Sequence, residues 1–234
     1  MNIALFGYGK MGKTIEKIAL DRGHHILVKV SSTSETYDLS QIDVAIDFSL
    51  PSTAVANISE CIKSHTPVIS GTTGWLDQYD DMVALCKSQN GTFLYASNFS
   101  LGVNIFFELN KTLTRLLKGF PDYTVSLEEI HHTQKLDAPS GTAITLAKDI
   151  IAETDYKNWT LDAPKQNEIG ILAKRIEGVS GTHTVSYDSN IDSIQIKHTA
   201  HSRQGFALGA VIAAEYIYDK KGVFQMKDVL QSHK

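Results

Sequence analysis

The sequence predicts an α/β protein in which a doubly wound parallel sheet is joined to a second, α+β domain. Three observations predict it. A short apolar run at residues 2–6 leads directly into the glycine turn Gly7-Tyr8-Gly9-Lys10-Met11-Gly12 and then into a helical pattern. Up to Ala96, short apolar runs alternate with helical patterns, which is how β-α-β units read in sequence. After Gly102 the order changes to a helix, a strand, a second helix and then three strand-like runs in succession.

The first helix follows from Met11, Ile15, Ile18 and Ala19 at helical spacing, with Lys13, Glu16, Lys17 and Asp21 on the other face. A G-x-G-x-x-G turn between a strand and a helix suits a dinucleotide. Its glycines permit a tight turn and let the backbone approach a pyrophosphate, which rests on the helix N-terminus. This is a Rossmann-type arrangement. Residues 26–30 read as the second strand, which ends in Ser31-Ser32-Thr33-Ser34, with Glu35 the first acid. A strand that selects NAD ends in Asp or Glu, on the ribose diol. Small hydroxyl residues such as Ser31 and Ser32, with Lys10 nearby, tolerate a 2′-phosphate, so NADPH is expected to bind and NADH to be used as well.

The link at residues 31–41 is polar, with no crossover helix. Strands are expected at 43–48, 67–70 and 92–96, and helices at 51–63, with proline at its start, and about 77–88. Ligands of open parallel sheets bind at the carboxyl ends of the strands. Those ends carry Gly7-Tyr8-Gly9, Phe48-Ser49, Gly71-Thr72-Thr73 and Ala96-Ser97-Asn98-Phe99.

Beyond Gly102, residues 103–117 form an amphipathic helix through Ile105, Leu109, Leu113, Leu116 and Leu117. An alternating strand at 123–130 then delivers His131 and His132, and Lys135 and Asp137 follow. The breaker group Pro139-Ser140-Gly141 precedes a helix opened by Thr142. A strand end, a loop of titratable groups and a helix N-terminus make a site for an anion with proton donors beside it. Residues 154–168 read as irregular, and 170–176, 182–187 and 192–198 as strands, giving the second domain four strands and two helices. The apolar positions of 182–187 and 192–198 are expected to need covering. From Arg203 an apolar helix returns the chain to the first domain, so residues 1–98 with 203–234 are expected to hold the dinucleotide, and 99–202 to bind substrate and form the oligomer.

The 234 residues are 42% hydrophobic and 21% charged, with net charge −4 and a pI near 6.1, so no basic field invites nucleic acid. The first apolar run is too short for a signal peptide. The longest, residues 206–217, is too short for a membrane span and contains Glu215. A cytoplasmic protein with no membrane partner is expected. Cys61 and Cys86 read as small buried hydrophobes. The remaining histidines, His183, His198 and His201 among them, read as packing or surface groups. No histidine pair shows zinc spacing with a third ligand, so no metal is expected.

The stretch Glu129-Ile130-His131-His132-Thr133-Gln134-Lys135-Leu136-Asp137-Ala138-Pro139-Ser140-Gly141-Thr142-Ala143 resembles the signature E-x-H-H-x-x-K-x-D-A-P-S-G-T-A at every specified position. That is the signature of the 4-hydroxy-tetrahydrodipicolinate reductase (dihydrodipicolinate reductase) family. The resemblance extends to Asp47-Phe48-Ser49, to Gly71-Thr72-Thr73-Gly74, to residues 98–104, to Gly181-Thr182-His183-Thr184 and to the C-terminal pattern. It departs at Lys10, where arginine is usual, and in the short segment after the second strand, which lacks the acid. Both departures bear on the cofactor and leave the reaction untouched.

The resemblance implies hydride transfer from NADPH or NADH to C4 of a six-membered cyclic imine bearing two carboxylates, in diaminopimelate and lysine biosynthesis. It implies His131 as proton donor, with Lys135 sharing that role and orienting the ring. His132, Lys135, Gly141 and Thr142 would hold the substrate carboxylates, and Glu129 and Asp137 would be structural. Phe48, Gly71, Thr72, Thr73, Ala96, Ser97, Asn98, Phe99 and Arg203 would serve the cofactor beside the glycine turn. It also implies a homotetramer built through the substrate-domain sheets. Two other readings share the glycine turn: another small amino-acid dehydrogenase, and a non-catalytic nucleotide sensor.

Overall fold

A computed structural model describes residues 1–31, 36–202 and 204–232. Ser32 and Arg203, assigned above to the cofactor, lie outside the described residues, as do Thr33, Ser34 and Glu35. The chain divides into two compact units, Met1–Leu101 with Gln204–Lys234, and Gly102–Arg203.

In chain order the first elements are β1 (Asn2–Phe6), α1 (Lys10–Asp21), β2 (His25–Val30), β3 (Val44–Asp47) and α2 (Pro51–Lys63). Next come β4 (Val68–Ser70), a 3-10 turn (Leu76–Gln78), α3 (Tyr79–Ser88), β5 (Thr92–Tyr95) and α4 (Leu101–Leu117). Then follow β6 (Thr124–His131), α5 (Gly141–Glu153), β7 (Asn158–Thr160), β8 (Glu168–Arg175) and β9 (Thr182–Asp188). The last are β10 (Ser193–Thr199), α6 (Gln204–Ile217), β11 (Gly222–Phe224) and α7 (Met226–Gln231).

The first unit is a six-stranded sheet in the order β11-β5-β4-β3-β1-β2, every neighbouring pair parallel. Strand alternation sends Ile3, Leu5, Val44 and Ile46 to a core shared with Ala210 and Val211 of α6, and Ala4, Phe6 and Ala45 to a core shared with Ile58 and Ile62 of α2. Both faces are therefore buried, which is why these strands read as unbroken apolar runs. A fully buried side chain of this size contributes about 1.5–3 kcal/mol. The strand order reverses between β1 and β3, where doubly wound sheets open a crevice at their carboxyl ends.

The second unit is a mixed sheet in the order β10-β9-β6-β8-β7, with β6 antiparallel to β9 and parallel to β8. Val125 and Leu127 of β6, Ile171 of β8 and Val185 of β9 pack with Phe106 of α4 and Leu146 of α5. The sheet has five strands where four were expected. The additional one, β7, is a three-residue edge strand inside a segment that read as irregular, and such a short element has no periodicity to reveal it. The same holds for β11, which pairs with β5. Of the apolar residues of β9 and β10, Val185, Tyr187 and Ile196 already lie against the unit's own helices, while Ile194 of β10 is exposed. Among the described residues no helix is long and apolar enough to cross a membrane.

Candidate functional site

In the first unit the chain leaves β1 at Gly7, whose N–H donates to the Val30 carbonyl at 2.9 Å. Gly7 has φ +89°, and a Cβ there would lie 2.0 Å from the Phe48 carbonyl oxygen; one on Gly12 would lie 2.4 Å from the Gly7 carbonyl oxygen. No other residue type closes this turn. Gly9 caps α1 without a side-chain hydrogen bond, and the first turn holds no acid. Among the described residues nothing lies within 4 Å of a Cβ built on Gly9. The helix N-terminus thus has no side-chain cap and open space beside Gly9, and with the helix dipole it fits a pyrophosphate.

Tyr8 and Met11 pack against the core, and Lys10 is exposed. The Tyr8 hydroxyl donates to Glu16, and Glu16 pairs with Lys29 Nζ at 2.5 Å. Those two bonds hold the Glu16 carboxyl below its ordinary range, the one from Lys29 foremost. The acid on α1 that Tyr8 of the glycine turn bonds is thereby neutralised. Ser31 is exposed just beyond the carboxyl end of β2.

Asp47, at the carboxyl end of β3, is fully buried and accepts four hydrogen bonds: from Ser49 Oγ at 2.6 Å, Asn57 Nδ2 at 3.1 Å, and Ser70 Oγ and Thr72 Oγ1 at 2.8 Å each. One carboxylate thus ties the ends of β3 and β4 to α2. The hydroxyl of Thr72 is committed to it, while Thr73 is exposed. Phe48 packs on Phe99 with ring centroids 5.6 Å apart. Phe99 is itself 1% exposed, with its carbonyl packed against Gly209, while Ser97 is exposed and Ala96 half-buried beside it.

In the second unit alternation along β6 places Glu129 and His131 on the face that packs against the helices. His183 lies directly opposite Glu129 on β9, and Arg175 opposite His131 on β8. Glu129 is fully buried. Its Oε1 accepts from Arg175 Nη2 at 3.1 Å and its Oε2 from the Ser140 N–H at 3.0 Å. His131 Nδ1 lies 3.3 Å from Oε2 and His183 Nε2 3.7 Å from it. Burial opposes ionisation of Glu129, yet His131 and His183 beside it and the Ser140 donors together hold its carboxyl well below the usual carboxylate range. Burial pushes the His183 imidazole below its ordinary value, against the pull of Glu129.

The His131 ring stands edge-on to His183 with centroids 5.0 Å apart, and its Nε2 edge faces Gly181, where a Cβ would lie 3.2 Å away. Among the described residues His131 Nδ1 has no well-aligned hydrogen-bond partner, and the same is true of the buried Nδ1 of His132. Lys135 Nζ is gripped by both carboxylate oxygens of Asp137 at 2.7 Å. Ser140 caps α5 by accepting from the Ala143 N–H at 3.2 Å, and its hydroxyl also bonds His183 Nε2 at 3.0 Å. Gly141 is exposed at the start of this helix, whose first turn has no acid, so its N-terminus can take a carboxylate.

Spacing along the chain misses His183 and Arg175 because they come from strands adjacent to β6 only in the folded sheet. The signal available for His183 was its place in Gly181-Thr182-His183-Thr184. Where sequence spacing offers no metal triad, the fold brings donor atoms of Glu129, His131 and His183 within 4.8 Å of one another. Two of these groups are already engaged, Glu129 by Arg175 and Ser140, and His183 by Ser140.

Comparison with known proteins matches residues 1–99 to the family model "Dihydrodipicolinate reductase, N-terminus" and residues 102–230 to "Dihydrodipicolinate reductase, C-terminus". The 4-hydroxy-tetrahydrodipicolinate reductase of Christiangramia forsetii is 59% identical over 233 residues, 98% of each chain. That of Rickettsia bellii is 36% identical over 239 residues, 97% of this chain and 94% of the other. Among solved structures, a dipicolinate-bound dihydrodipicolinate reductase from Paenisporosarcina sp. TG-14 shares the fold, with TM-score 0.78 and 20% identity over 96% of this chain and 97% of the other.

Proposed function

We propose that this chain, which belongs to the dihydrodipicolinate reductase family, reduces 4-hydroxy-2,3,4,5-tetrahydrodipicolinate to tetrahydrodipicolinate with NADH or NADPH, in diaminopimelate and lysine biosynthesis. The C4–O bond breaks and a C4–H bond forms. The hydroxyl leaves as water with a proton from the neighbouring ring carbon, the hydride and the one proton consumed both end on the ring, and the nucleotide is oxidised by two electrons. When bound, the reduced nicotinamide supplies the hydride. Everything else falls to side chains and backbone.

The glycine turn from Gly7 to Gly12 and the uncapped N-terminus of α1 hold the pyrophosphate. The strand ends at Phe48, at Gly71 with Thr72 and Thr73, and from Ala96 to Phe99 hold the rest of the nucleotide, with Asp47 keeping the first two in place. With Glu16 neutralised by Lys29, and Ser31 in place of an acid at the end of β2, a 2′-phosphate meets no fixed repulsion from the described residues there, and both nucleotides serve.

His131 is the proton donor. Glu129 faces its Nδ1 edge, which leaves Nε2 to pass a proton to the ring nitrogen, or to the enamine formed there, as hydride arrives. His132, Lys135 and the backbone at Gly141 and Thr142 take the two carboxylates. Lys135 is presented by Asp137 and orients the ring. The observation that carries this reading is the buried Glu129 carboxylate between His131 and His183, inside a signature present at every specified position.

The experiment follows reduced-nicotinamide absorbance with each nucleotide, with substrate generated from pyruvate and aspartate semialdehyde by the preceding synthase. Oxidation that requires the synthase is expected. Absence of oxidation from folded, nucleotide-binding protein would overturn the assignment in favour of a sensor or another substrate. The protein is further expected to be a cytoplasmic homotetramer assembled through the sheet face opposite α4 and α5, where Leu172 is 54% exposed among polar neighbours. A monomeric mass by light scattering would contradict that.

A further inference from the structure

We propose that Arg175 is a positioning residue for this reduction: its guanidinium straps the loop that carries Lys135 to the buried carboxylate facing His131. The inference rests on the reductase reading above. Three nitrogens of the guanidinium donate, to partners on two elements and one loop. Nη2 donates to Glu129 Oε1 at 3.1 Å and to the Asp137 carbonyl at 2.6 Å. Nε donates to the Lys135 carbonyl at 3.2 Å, and Nη1 to the Lys174 carbonyl at 2.8 Å.

The sheet delivers Arg175 to this place. In the parallel β6–β8 pair it is the register partner of His131, and the Ile176 N–H continues the pairing to the His131 carbonyl at 2.7 Å. The loop crosses beyond this strand end, and the carbonyls that Arg175 holds belong to the two residues whose side chains pair with each other. Asp137 is fixed through its backbone and grips Lys135 Nζ through its carboxylate, so the strap sets where the ammonium stands. Its other arm holds Glu129, which faces His131 and His183. A lysine at 175 would carry the charge on a single nitrogen and could not span these acceptors.

The test compares wild type, R175A and R175K in the coupled assay. It also measures, by calorimetry, binding of pyridine-2,6-dicarboxylate, a planar ring with two carboxylates, and of NADPH. For R175A, kcat is expected to fall by about 30-fold or more, as for loss of a group that holds reacting residues in place, with weaker dicarboxylate binding and unchanged NADPH affinity. Added ethylguanidinium should restore several-fold of the lost rate. Ethylammonium, of equal charge but without the fork, should restore none. R175K is expected to stay about tenfold impaired.

R175A kinetics within about threefold of wild type, or equal rescue by both cations, would overturn the proposal. If R175A does not fold, R175K decides: wild-type kinetics from it overturn the strap. Failure of the wild type itself to oxidise nucleotide would instead fail the reductase reading, and dicarboxylate affinity would still report on Arg175.

Discussion

Glu129 and His183 are register partners across the antiparallel β6–β9 pair, and Ser140 closes a triangle with them, donating its N–H to Glu129 Oε2 and sharing its hydroxyl with His183 Nε2. A strand pairing and a helix cap are thereby fused into one polar cluster inside an otherwise apolar face. His131, projecting from the same face of β6, meets that cluster through Glu129.

Acid stability follows from the cluster. The folded value of His183 lies below the ordinary 6.5 or so. As pH falls through about 6.5 the unfolded chain therefore takes up a proton that the folded chain refuses, and stability is lost. Glu129 is depressed as well, so its contribution is complete above about 4.3 and is lost as pH falls further. Melting temperature measured from pH 8 to 4 should decline from near 6.5 and steepen below 4.5. H183Q should flatten the first part of the decline. A wild-type melting temperature constant between pH 6.5 and 5 would contradict a neutral buried His183.

Loss of the proton donor should act on turnover. H131A is expected to lower kcat by roughly 10²–10⁴ with modest change in KM. K135A should damage both parameters, since Lys135 binds as well as orients. Full turnover from H131A in steady-state assays would remove it from the chemistry.

Two glycines in one turn should respond differently. G9A meets nothing within 4 Å among the described residues, so folding should be unaffected while the new methyl fills space meant for the pyrophosphate. NADPH affinity by fluorescence titration should fall about tenfold, or about 1.4 kcal/mol. G7A places its Cβ 2.0 Å from the Phe48 carbonyl oxygen at φ +89° and should lower the melting temperature itself. Unchanged NADPH affinity in G9A would argue that no anion sits on α1.

Asp47 offers a test of the strand-end network. D47N turns one of two acceptor oxygens into a donor amid hydroxyl and amide donors, leaving buried groups unsatisfied. A loss of about 2–4 kcal/mol in urea unfolding is expected, with weaker nucleotide binding. Wild-type stability in D47N would mean the hydroxyls simply reorient.

Much of this protein is readable along the chain because the elements concerned are long or chemically marked. Residues 2–6 as the first strand and 51–63 as a helix appear in the structure as read. Helix α4 starts two residues earlier than its apolar spacing suggested. β7 and β11 escaped, since three residues carry no period and each forms only by adding to an existing sheet edge.

The sequence by itself determined the two-part architecture, the glycine turn and the His131–Lys135 signature, because each is a local pattern of residue types at short separations. Only the tertiary structure decided which groups surround Glu129. His183 and Arg175 lie 54 and 46 residues away along the chain (183 − 129 and 175 − 129), and β-sheet register alone makes them neighbours. Tertiary structure likewise decided that Asp47, which the sequence marked only as part of Asp47-Phe48-Ser49, is a buried hub. A carboxylate's role depends on which donors reach it, and donors from different strands meet only when the sheet has formed.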